Sequence, residues 1–170
     1  MLRAAWKKYS GRQVTRPATP PNGWVIFCAW GPCGYAPWAA GTFGTAGAIP
    51  LFYLLSALSW PLYVLTVVAL IVLAIYAAGH AGAYWGVVDA SPFVIDEVAG
   101  YLVTMALVPW SWQAAAAGFV LFRIFDIVKP WPASYFDGVK SGFGVIMDDV
   151  AAGVYAWIAL ALLRQQGLLP

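Results

Sequence analysis

The sequence predicts an all-α fold, a polytopic membrane bundle of short and partly discontinuous helices. Three observations predict it. Hydrophobic types make up 62% of the 170 residues and charged types only 9%, against about 25% charged in a water-soluble domain. Aromatic residues reach 16%, with ten Trp and nine Tyr, as in the belts that membrane proteins place at the headgroup level. The apolar runs are too long for strands and are separated by Pro, Gly and Trp turns. A soluble all-helical core is the alternative, and so few charges would not cover it.

Two regions follow. Residues 1–23 form a basic arm and linker. Arg3, Lys7, Lys8, Arg12 and Arg16 are positive, and no acid occurs before Asp89. Leu2–Tyr9 suits an interfacial amphipathic helix, and the arm suits anionic headgroups of the cytoplasmic leaflet. No basic stripe or recognition module extends it, which argues against a nucleic-acid partner. Pro17, Pro20 and Pro21 interrupt any cleavable leader pattern. Cys28 and Cys33 match no metal-site spacing. Residues 24–170 form the embedded domain.

Within it, Trp24–Trp30 is apolar but too short to span. Gly31–Gly47 is rich in Gly and Pro and reads as a loop at the interface. Helices are expected from about Thr45 to Leu58, Leu62 to Ala78, Asp96 to Val108, Gln113 to Val128 and Asp148 to Leu163. A helix of roughly 15 residues is about 22 Å long, short of the usual hydrocarbon thickness. Gly79–Ile95, with His80 and Asp89, and Lys129–Met147 read as open polar segments. An alternating path then places the charged segments on one side and the Trp60 and Trp110 turns on the other. Lysine and arginine make the charged side cytoplasmic. About five passes result, with the C-terminus outside.

The path brings five acids to one depth. Asp96 and Glu97 open the third helix, Asp126 lies near the end of the fourth, and Asp148 and Asp149 open the last. Capping accounts for one acid at each helix start. It does not account for Asp126, at the unfavourable end of its helix dipole, or for adjacent pairs in a chain so poor in charge. Ionisable groups at membrane depth are costly and usually functional. Five carboxylates together repel one another, and a hard cation such as Mg²⁺ removes that repulsion. Bound there, Mg²⁺ would polarise a phosphoryl group or activate an attacking water.

Arg123 and Lys129 stand three residues either side of Asp126. They are expected to clamp a phosphate, with a local salt-bridge ladder as the alternative. The segment GTFGT at Gly41–Thr45 offers small residues and the hydroxyls of Thr42 and Thr45 ahead of a helix. That arrangement suits an anion, and close packing is the alternative. It is not a Walker motif. His80 suits either an acid–base role or a cap.

Four ordered motifs carry a resemblance: GTFGTAGAIP at Gly41–Pro50, IDEVAG at Ile95–Gly100, FRIFDIVKPWP at Phe122–Pro132 and GFGVIMDDVAAG at Gly142–Gly153. From Trp30 to the last helix the chain resembles the phosphatidylglycerophosphatase A family; the arm lies outside the resemblance. The resemblance implies a Mg²⁺-dependent lipid phosphatase of the bacterial inner membrane. Its substrate would be the anionic phospholipid phosphatidylglycerophosphate and its product phosphatidylglycerol. Asp96, Glu97, Asp126, Asp148 and Asp149 fall on the family's acidic positions, and Arg123 and Lys129 on its basic ones. Asp89 and Asp137 match acids found in some members. Gly79–Tyr84 is plainer than in members with more polar side chains there, so no family role passes to His80.

A small cation or phosphate transporter is the competing reading. Discontinuous helices and intramembrane carboxylates serve transporters too, but these acids keep to one side and no inverted repeat is evident. A non-catalytic scaffold leaves the acids unexplained. Water attack is favoured over an aspartyl-phosphate, because no acid sits in a recognised phosphoaspartate motif.

Overall fold

The computed structural model describes residues 20–170, so the basic arm and its interfacial helix lie outside the described residues. The described residues are helical, with no strand among them. The helices are α1 (Gly23–Cys28), α2 (Ala40–Leu55), α3 (Trp60–Trp85), α4 (Ile95–Thr104), α5 (Trp112–Val128), α6 (Ala133–Asp137) and α7 (Gly142–Gln165). Two of them, α3 and α7, are long and apolar enough to cross a membrane. The outer face of α3 exposes Leu65, Val68, Val72 and Tyr76, as a lipid-facing surface does.

Helix α4 ends at Thr104, short of the expected Val108, and the short α6 forms inside the segment expected to be open. Three larger boundary differences each have a local reason. Helix α2 starts at Ala40 rather than Thr45, after Ala39 turns the chain in the left-handed region at φ 52°. GTFGT is therefore the first turn of the helix and does not precede it. Helix α3 continues through Gly79, His80 and Gly82 to Trp85, and Gly86 at φ 77° ends it. Glycine in a helix costs about 1 kcal/mol, and here the absent side chain at Gly82 makes room for Val88. His80 thus sits on an exposed helix face, stacked on Trp24 at 5.6 Å between ring centres.

The third difference matters most. Helix α7 begins at Gly142, capped by Ser141, whose Oγ accepts from Gly144 N at 3.2 Å. Asp148 and Asp149 are therefore well inside the helix, and capping does not explain them.

The centre of the bundle is the crossing of α4 and α7. A side chain on Gly153 would overlap the carbonyl of Gly100, and one on Gly100 would stand 2.6 Å from Asp149 O. Small residues allow this approach. Thr104 Oγ1 lies 3.0 Å from Gly100 O and 3.3 Å from Gly153 O, tying both helices through one hydroxyl. Tyr63 OH donates to Leu102 O at 2.7 Å, and Tyr101 OH to Ala115 O at 3.1 Å. These bonds fix α3 and α5 to α4. At the end of α2, Tyr53 meets Trp110 at 4.9 Å, so the Trp110 turn packs at the end of the bundle remote from the acids.

Candidate active site

The polar end is assembled from the start of α2, the loop after α3, the start of α4, the end of α5, α6 and the first turns of α7. A cavity of about 280 Å³ opens there, and all seven acids of the sequence line it: Asp89, Asp96, Glu97, Asp126, Asp137, Asp148 and Asp149. Lys129 and Lys140 line it as well. Asp96, Asp126, Asp148 and Asp149 are nearly closed to solvent, at 3–8% exposure. Carboxylates this buried need cationic or hydrogen-bonding partners.

Within each adjacent pair the first acid is turned back on the helix. Asp96 Oδ1 accepts from Glu97 N at 3.0 Å, and Asp148 Oδ1 from Asp149 N at 2.9 Å. Asp148 Oδ2 then meets Lys129 Nζ at 2.5 Å. Lys129 also lies 3.4 Å from Asp137 and 3.9 Å from both Asp126 and Asp149. It reaches this position because it ends α5 in the left-handed region, at φ 46°. Partial burial opposes its charge, but Asp148, Asp149 and Asp126 outweigh that and hold the ammonium above the ordinary lysine range.

Arg123 takes the other side of Asp126. Its Nη1 lies 2.6 Å from Asp126 Oδ2 and 4.0 Å from Glu97 Oε1. The contact with Asp126 is a close charge approach without hydrogen-bond alignment. Arg123 is not among the cavity-lining residues; it stands behind the carboxylates, on the α2 side. A side chain on Gly41 would overlap Glu97 Oε1 and come within 3.1 Å of Arg123 Nη1. The first glycine of GTFGT, Gly41, is thus what lets α2 close over this pair. Thr45 is fully buried and donates to Gly41 O at 2.9 Å, which commits its proton within the helix. Thr42 lies in the first turn of α2, half-buried, and does not line the cavity.

One oxygen each from Asp96, Glu97 and Asp149 lie within 4.8 Å of one another. Glu97 Oε2 is buried and accepts no hydrogen bond. Three hard oxygen donors and an orphaned buried acceptor fit a divalent cation such as Mg²⁺. Asp126 and Asp148 are instead engaged by Arg123 and Lys129. Asp89, Asp137 and Lys140 complete the wall. Lys140 was not singled out by the sequence; its place in a charged loop, one residue before the Ser141 cap, was the available signal.

The fold and site define a class: a helical protein with apolar outer faces on its long helices and, at one end, an acidic cavity that also holds two lysines. The family model for phosphatidylglycerophosphatase A matches residues 26–164. The chain is 40% identical over 135 residues to phosphatidylglycerophosphatase A of Escherichia coli, covering 78% of each chain. It is also 40% identical over 125 residues to phosphatidylglycerophosphatase A of Haemophilus influenzae, covering 72% of this chain and 77% of that one. A Bacteroides thetaiotaomicron protein, named provisionally as a phosphatidylinositol-3-phosphatase, is 43% identical over 145 residues, or 77% of this chain and 87% of that one. No solved structure gives a significant match. The chain belongs to the phosphatidylglycerophosphatase A family. The family resemblance read from the four motifs is borne out, and with it the reading as a lipid phosphatase.

Proposed function

We propose that this chain removes the terminal phosphate of phosphatidylglycerophosphate in a Mg²⁺-dependent reaction, giving phosphatidylglycerol. The observation that carries the reading is the gathering of all seven acids around one cavity that also holds Lys129, in a member of this family. Asp96, Glu97 and Asp149 would hold the ion. When bound, Mg²⁺ supplies a Lewis acid that draws charge from the phosphoryl oxygens.

The chain's own groups do the rest. Lys129 offers its ammonium to the phosphate, a charge-assisted contact with an oxyanion. Asp126 borders the cavity between Arg123 and Lys129 and is placed to accept a proton from an attacking water. The water oxygen bonds to phosphorus, the bond from phosphorus to the glycerol oxygen breaks, and that oxygen leaves with the proton that Asp126 took from the water. Nothing in this route needs a covalent carboxylate–phosphate. Thr42 has no role in it that the geometry supports, and the Thr45 proton is already committed.

The site belongs at the cytoplasmic face of a bacterial inner membrane, in a multi-pass protein. Supporting this are the apolar outer faces of α3 and α7 and the basic residues 1–23. The acyl chains then stay in apolar surroundings while the headgroup enters the cavity.

Purified protein in mixed micelles should release inorganic phosphate from phosphatidylglycerophosphate when Mg²⁺ is present. Chelation should abolish release and added Mg²⁺ restore it. Full activity without divalent metal would contradict the mechanism. Faster turnover of phosphatidylinositol 3-phosphate would keep the chemistry and replace the substrate.

A further inference from the structure

The cations around the cavity are not equally occupied. Lys129 has four carboxylates within 4 Å. Arg123 has two, and stands outside the cavity lining. Lys140 lines the cavity, yet among the described residues it forms no ion pair with a carboxylate, although every acid of the chain is described. Its ammonium donates only to the main-chain carbonyl of Asp137, at 2.7 Å.

The charges are also graded by depth. The carboxylates at the floor are 3–8% exposed, the Lys129 side chain is 28% exposed, and Lys140 is open to solvent at the rim. The rim backbone is fixed. Ser141 N donates to Val139 O at 2.8 Å, and Ser141 caps α7 through Gly144. A side chain on Gly144 would overlap Val139 O, so this turn is packed tightly against the helix that carries Asp148 and Asp149.

We infer that Lys140 is a second phosphate contact, taking the phosphodiester that joins the headgroup to the diacylglycerol. The inference rests on the function proposed above and deepens it. With the terminal monoester at the floor, the diester lies one glycerol unit nearer the mouth. A lysine there, with a flexible stem and uncompensated charge, suits a singly charged diester. Lipids with a lone monoester phosphate lack that second anion, so Lys140 is a specificity residue rather than a catalytic one.

Full-length Lys140→Gln and Lys140→Arg proteins test this in mixed micelles with Mg²⁺. Lys140→Gln should raise KM for phosphatidylglycerophosphate about tenfold, as loss of one charge-assisted contact does, with the loss in KM rather than kcat. Lys140→Arg should recover most of it. Glycerophosphoglycerol carries the diester alone, and it should compete with substrate about tenfold less well in Lys140→Gln than in wild type. An unchanged KM, a loss confined to kcat, or equal losses in Gln and Arg would each overturn the inference. Equal competition by glycerophosphoglycerol in wild type and Lys140→Gln would also overturn it, assigning Lys140 to the terminal phosphate. A wild-type protein inactive on phosphatidylglycerophosphate brings down the functional reading itself, and the inference with it.

Discussion

Gly100 lies so close to Asp149 that a side chain on the glycine would stand 2.6 Å from the aspartate's carbonyl oxygen. One turn before Gly100 on α4 are Asp96 and Glu97, the groups whose oxygens converge with that of Asp149. A backbone crossing without side chains is therefore what holds three carboxylates together.

Gly100→Ala should force α4 and α7 apart or displace Phe122, which a new Cβ would also meet. Overpacking of this kind costs about 1–3 kcal/mol. The expected outcome is a lower melting temperature in detergent and, in the protein that remains folded, a larger loss of kcat than the unfolded fraction accounts for. A stability loss with kcat per folded molecule intact would separate the crossing from the chemistry.

The two members of the Asp148–Asp149 pair should differ. Asp149→Asn removes a charge from the converging trio, and a loss of at least about 100-fold in rate is expected. Mg²⁺ should raise the melting temperature of the wild type, since a ligand that binds only the folded state stabilises it. That rise should shrink or vanish in Asp149→Asn. Asp148→Asn should keep the rise, because its carboxylate is turned to Lys129 and to its own helix. Equal rises in wild type and Asp149→Asn would take Asp149 out of the ion's shell.

Arg123 holds Asp126 and Glu97 from behind the cavity, so Arg123→Gln should lower stability as well as activity. Removing one partner from a buried charged contact costs roughly 1–3 kcal/mol or more. Arg123→Lys should recover little, because both contacts come from Nη1, and the lysine side chain is one bond shorter and carries its charge on a single ammonium. A variant with wild-type melting temperature and a raised KM would instead mark Arg123 as a direct phosphate ligand.

Lys129→Gln should reduce kcat/KM by at least about tenfold while the protein stays folded in detergent. Its side chain is partly open to the cavity, and its charge offsets four carboxylates and would, in the proposed reaction, face the phosphate. Unchanged kcat/KM would show that Asp148 and its neighbours need no such partner.

The composition and apolar runs determined the helical class, and the four motifs determined the family. Chemistry was also legible in the sequence, because seven acids in so apolar a chain have few tolerable places. Helix limits were less so. The segment from Gly79 read as open, yet α3 passes through Gly79 and Gly82 to Trp85, and at Gly82 the absent side chain gives Val88 of the following loop its room. Asp148 and Asp149 read as a helix start because the Gly-rich stretch before them hid the Ser141 cap.

Only the tertiary structure decided which acids converge and which pair with a cation. Sequence placed five at one depth. The crossing of α4 and α7 brings Asp96, Glu97 and Asp149 together, while the left-handed turn at Lys129 gives Asp148 a partner. It also set Arg123 behind the carboxylates and Lys140 at the rim. Spacing along a chain fixes which residues share a helix face. Which charge meets which across helices depends on how closely their backbones approach, and here glycine sets that approach.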